Sequence, residues 1–96
     1  MIEIGKICNK HEDEYLMFDR VENKLHQRPD ICAFLLLDKL LPNRGMDIVC
    51  AAGHDEIFLD ADIEKLCNIA TESDILTLIR CGVRYCEDTD SLAMFV

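Results

Sequence analysis

Apolar residues along this chain change their spacing several times, and each change marks an element. Between Pro29 and Leu41, in "PDICAFLLLDKLL", nearly every position is apolar. Pro29 suits a first helical turn, where its missing N–H is no loss. Asp30 complements the positive end of the helix dipole, and Pro42 stops the helix. The run predicts a helix over 30–41 that is apolar on almost every face and sits at the centre of the core. In "TESDILTLIRCGV", Thr71 can cap a helix with Asp74 three residues later, Arg80 lies near its C-terminus and Gly82 offers a left-handed cap; the pattern predicts a helix over 72–81. Asp60 or Asp62 can cap "IEKLCNIA", where Ile63, Leu66, Cys67 and Ala70 form one stripe of a helix over 62–70. Tyr15, Phe18, Val21 and Leu25 recur at spacings of three and four, which predicts an amphipathic helix over 13–27, although "YLMF" also fits a strand.

Shorter alternations predict strands. "DIVCAA" and "EIFLD" flank a turn at Gly53, His54 and Asp55, giving a hairpin over 47–60, and "VRYC" and "SLAMFV" flank the acidic turn "EDTD", giving a second over 83–96. Ile2 and Ile4 alternate with Glu3 and Gly5 in "MIEIGKIC", which suggests a short N-terminal strand. Together these elements predict an α+β fold, about four helices packed on one face of a small, mostly antiparallel sheet. With 96 residues, one hydrophobic core and a single domain over 1–96 are expected.

Half of the residues are apolar and 30% are charged, a globular composition rather than a disordered one. The longest apolar runs fall far short of the roughly 20 residues that span a bilayer. The first residues lack the basic and apolar regions of an export signal, so a cytoplasmic location is expected. Six cysteines accompany this pattern, at positions 8, 32, 50, 67, 81 and 86. Cys32 and Cys67 fall inside apolar helical patterns, where a free thiol acts as a small hydrophobe.

Charge adds what periodicity does not. Residues 1–44 carry eight acids against seven Lys and Arg, whereas residues 45–96 carry eleven acids against Lys65, Arg80 and Arg84. Such a surface repels phosphates and anionic membranes and attracts basic proteins. Asp55, Glu56, Asp60, Asp62, Glu64, Glu72 and Asp74 fall close together, and Glu87, Asp88 and Asp90 crowd one turn. Helix caps and solubility explain several of them, but neither requires that Lys and Arg be nearly absent.

Four chemical readings compete with a binding role. Cys8 and His11 in "CNKH" could join Cys50 and His54 in "CAAGH" as a tetrahedral zinc set. Neither pair has compact knuckle spacing, and the domain has enough apolar material to fold without a metal staple. "GHDE" at 53–56 gathers an imidazole and two carboxylates, the raw material of a minor enzyme centred on His54, yet neighbouring turn residues point in different directions. Cys81 and Cys86 in "RCGVRYC" lie too far apart for a two-residue redox spacing. "DEIFLDADIEKL" lacks the central Gly and ligand order of a calcium loop.

The expectation is therefore a non-enzymatic acidic protein without cofactor or metal. It binds no nucleic acid directly, and instead occupies the basic surface of a nucleic-acid-binding protein as an inhibitor or regulator. Asp55, Glu56, Asp60, Asp62, Glu64, Glu87, Asp88 and Asp90 are the expected contact residues, with Asp55, Glu56, Asp60 and Glu64 exposed. The cysteine pattern generates a direct test. Protein denatured without reductant should react with six equivalents of thiol reagent; two or fewer would mean a disulfide framework instead.

Overall fold

The computed structural model describes residues 2–42 and 47–95; Met1, residues 43–46 and Val96, the last of the expected second hairpin, lie outside the described residues. The elements are α1 (Ile4–Lys10), α2 (Pro29–Leu40), β1 (Val49–Gly53), β2 (Glu56–Leu59), α3 (Ile63–Ile69), α4 (Glu72–Arg80), β3 (Val83–Cys86) and β4 (Ser91–Phe95). Two short 3₁₀ turns, Glu12–Glu14 and Phe18–Arg20, lie between α1 and α2. The fold is α+β, with four helices and a four-stranded antiparallel sheet of order β1-β2-β4-β3.

Helix α4 starts on a reciprocal capping box. The Thr71 hydroxyl accepts from the Asp74 N–H at 3.2 Å and the Asp74 carboxylate accepts from the Thr71 N–H at 2.9 Å, which satisfies two N–H groups at the helix start. Its inward stripe of Ile75, Leu78 and Ile79 is buried. Gly82 ends it at φ 98°, a left-handed conformation that costs glycine nothing. At α3 the cap is Asp62 rather than Asp60, accepting from the Lys65 N–H at 3.1 Å.

The centre of the core differs from expectation. Helix α2 buries Cys32, Ala33, Leu36 and Leu37, but Leu35 remains 43% exposed. The central position belongs to α4, which packs against α1, α2, β3 and both 3₁₀ turns. Although α2 is the more apolar helix, α4 is the one surrounded.

Two expected elements take other forms. The N-terminal segment is helix α1 rather than a strand, because Ile4 and Ile7, three apart, both turn into the core with Cys8 packed against it. No continuous helix forms over 13–27. Leu16 adopts φ 65° there, and its N–H donates to the Ile79 carbonyl of α4 at 3.2 Å instead of closing a helical turn. The segment is tied down by Val21, 5% exposed, and by Glu14, whose carboxylate accepts from Arg20 at 2.8 Å and from Arg80 at 2.9 Å.

The strand register places Ile57, Leu59, Val83, Tyr85, Leu92 and Met94 on the helix-covered face. Phe58, Arg84 and Ala93 share the opposite face. There the Arg84 guanidinium lies 4.5 Å from the centre of the Phe95 ring and forms an ion pair with Glu56. Such stacking is favourable because a cation meets the negative face of the ring.

Gly82 couples the chain reversal to the 3₁₀ segment. A Cβ there would lie 2.8 Å from Cδ2 of Leu16, and a side chain at φ 98° is strained in any surroundings. Gly82→Ala should therefore destabilise the fold by more than about 1 kcal/mol, measured as a lower urea midpoint with an unchanged slope; an unaltered midpoint would refute the coupling.

Candidate functional site

The sheet divides the expected contact residues. Glu56 pairs with Phe95 and Leu59 with Leu92, so the His54–Asp55 tip projects from one end of the sheet. The Glu87–Asp90 turn and the Asp60–Asp62 link project from the other. Asp55 and Asp60 are separated along β2 by roughly 17 Å, at about 3.3 Å per strand residue.

Exposure and partnering divide them again. Asp55, Asp62, Glu64, Glu87, Asp88 and Asp90 are exposed, but Glu56 and Asp60 are half-buried, contrary to expectation. Glu56 is drawn onto the sheet by Arg84, and the Asp60 N–H donates to the Ile48 carbonyl at 2.6 Å, which holds that residue against β1. Asp62 is engaged as a helix cap. Asp90 accepts from the Tyr85 hydroxyl at 2.5 Å, and the Tyr85 phenol is pushed up to about 12, first by that hydrogen bond and then by desolvation. Tyr85 is thus fixed as a neutral donor at neutral pH.

At the Asp90 end, Glu64, Glu87 and Asp88 are exposed and none has a basic side chain in ion-pair range among the described residues. Two of them border a groove of about 480 Å³ between α1, α3 and β3. Ile2, Ile63, Cys67 and Tyr85 form its apolar side, and Glu3, Glu64 and Glu87 stand at its margin. Glu3 is held by Lys6 at 2.9 Å. This combination of apolar floor and acidic margin was not visible in the sequence, because half of it depends on α1 being a helix.

The metal-ligand set is dispersed. The Cys8 thiol is packed against the core, where burial raises its pKa and the backbone N–H of Tyr85, donating to it, opposes the rise. His11 meets Glu72 at 2.9 Å, and that carboxyl is lowered first by His11 and then by Lys10. The Cys50 thiol donates to the Phe58 carbonyl at 3.5 Å, and His54 stands exposed at the hairpin tip. Among the described residues no three His, Cys, Asp or Glu side chains come together as a metal site.

Nor do the other constellations converge. Glu56 of "GHDE" is committed to Arg84, away from His54. Cys81 lies against Cys32 rather than Cys86, and its thiol is pushed up to about 12, chiefly by burial; a thiol held protonated is a poor nucleophile. A second groove of about 390 Å³, between α2, α4 and residues 21–25, is bordered by Asp74 and Arg80, both already used in the cap and in the Glu14 ion pair.

No family model matches the chain, nor does any curated protein or solved structure. The dispersal of the candidate ligands sets one expectation. Protein purified without chelator and dialysed should carry well below one zinc per chain by elemental analysis; one equivalent, lost on Cys8→Ser and on Cys50→Ser, would require the hairpin to move onto α1.

Proposed function

We propose that this is a non-enzymatic binding protein that acts in the cytoplasm by occupying a basic surface of another protein. The best-fitting form is an inhibitor or regulator of a nucleic-acid-binding protein, whose phosphate-contacting surface already displays Lys and Arg. The observation that carries this reading is the pair Glu64 and Glu87 at the margin of the apolar groove of Tyr85, with Asp88 next to Glu87 in the chain, all three exposed and without cationic partners among the described residues. Acids placed only for solubility have no reason to border an apolar recess. A partner interface benefits from both, an apolar centre for affinity and a charged rim for orientation.

The distribution of cations supports the same reading. Of the three basic residues in the C-terminal half, Arg80 is committed to Glu14 and Arg84 to Glu56. Only Lys65 stands outside an ion pair among the described residues of that half. The charges of that half left outside ion pairs are therefore nearly all acidic among the described residues. It favours encounter with a positive surface and disfavours phosphates, most strongly at low ionic strength.

The test pairs capture with charge reversal. Immobilised wild-type protein and the triple variant Glu64→Lys, Glu87→Lys, Asp88→Lys are exposed to the same lysate, and captured proteins are identified by mass spectrometry. A basic partner should be retained by the wild type and lost by the variant, with an unchanged circular dichroism spectrum. Its affinity should fall steeply as salt rises from about 0.01 M to about 0.15 M, where the screening length shrinks from about 30 Å to about 8 Å. A partner whose affinity ignores both the reversal and the salt would leave the acids as a solubility device.

A further inference from the structure

The two edges of the sheet are finished differently. Along β3, helix α1 packs against the strand and the outward N–H of Tyr85 donates to the Cys8 thiol. Along β1 no such cover exists among the described residues, and all five residues Val49–Gly53 are exposed. The ladder pattern shows which main-chain groups are free there. The Asp60 N–H bonds the Ile48 carbonyl at 2.6 Å at one end, and a two-residue turn joins Gly53 to Glu56 at the other. Bonded and non-bonded pairs alternate in an antiparallel ladder, so the pairs Val49–Leu59 and Ala52–Ile57 turn the N–H and C=O of Val49 and Ala52 outward.

Exposed edges of this kind usually carry a guard such as a Lys, a Pro or an inward charge. Strand β1, "VCAAG", has none of these side chains; a bulge between Val49 and Ala51 is the one such device it carries. We propose that β1 is a docking edge, to which an extended Lys- or Arg-bearing segment of the partner adds as a fifth strand. The inference rests on the reading of a basic partner given above. Charge complementarity chooses the occupant: Asp47 and Asp55 stand exposed at the two ends of the strand, and residues 47–60 include no Lys or Arg. A second copy of the chain, paired antiparallel on the same edge, would bring Asp47 of each close to the Asp55 tip of the other, acid against acid. A basic segment meets opposite charges at both ends. The small side chains of Ala51, Ala52 and Gly53 leave room for its long ones, as strand addition requires.

The probe is a synthetic peptide of about ten residues alternating lysine and valine, a common strand length. Its control is the same peptide N-methylated on alternate residues, which keeps every charge and removes the N–H groups of one edge. The full-length protein should bind the first peptide, with slowed amide exchange at Val49 and Ala52, and bind the methylated one at least about tenfold more weakly. Ala52→Pro, which deletes an outward N–H, should impose a similar loss. If the Glu64, Glu87, Asp88 reversal weakens binding while N-methylation and Ala52→Pro do not, edge pairing is wrong and the acidic reading stands. No binding of either peptide at low salt would overturn both. A wild-type dimer that Ala52→Pro splits into monomers would assign the edge to a second copy and overturn the proposal. The methylated peptide keeps the test decisive even where the proline variant fails to fold.

Discussion

The burial of one helical face, that of Ile75, Leu78 and Ile79 on α4, is the interaction on which the other elements depend. Helices α1 and α2, strand β3 and the 3₁₀ turns all rest on it. A fully buried aliphatic side chain contributes roughly 1.5–3 kcal/mol relative to an exposed one. Of the Glu14 pairs, the one with Arg20 is open to solvent at the arginine, where screening leaves an ion pair little net worth, and the one with Arg80 is part-buried. Apolar burial therefore sets the stability, and the carboxylate sets the path of the chain across α4. Its pKa lies below the ordinary value, chiefly through Arg80, so whatever it contributes is present above the ordinary carboxylate range and fades as pH falls through the lowered value.

How much of this was legible in the sequence depended on how local the determining interactions were. Helix α4 was readable because its signals, Thr71, Asp74 and Gly82, act within the element or one residue beyond it. The hairpins were readable because their turns lie between short alternating runs. The N-terminal strand was misread because Ile2 and Ile4 alternate only once, too short a sample to separate a period of two from the spacing of Ile4, Ile7 and Cys8. The 13–27 segment has helical spacing, yet tertiary contacts override it: Leu16 turns left-handed to bond the Ile79 carbonyl, and Gly82 makes room for its side chain. Nothing within residues 13–27 signals either event.

The candidate site was legible in amount but not in arrangement. The acidic surplus is a sum and needs no fold to be seen. Its division needs the strand order, which places β4 between β2 and β3 and sends the two hairpin turns to opposite ends of the sheet. Glu56 could not be recognised as an internal partner without Arg84 placed on the same face of the sheet. The groove beneath Tyr85 needs α1, α3 and β3 together, segments more than fifty positions apart at the extremes.

Under the proposed binding role, charge and shape have separate tasks on this surface. A one-sided field acts over a screening length of about 8 Å at physiological salt, far enough to orient an approaching basic protein and too diffuse to choose among many of them. Selection requires contacts that depend on distance and direction. The structure offers two: an apolar recess whose tyrosine is held in one orientation by Asp90, and a strand edge whose free N–H and C=O groups accept only an extended chain in register. Among the described residues, acids outside any ion pair lie beside both, Glu64 and Glu87 at the recess and Asp55 at the hairpin tip. Were the acids scattered evenly, steering would deliver partners to no particular place; under the proposed binding role, acids beside the recess and at the hairpin tip would bring a cationic partner to the surfaces able to discriminate.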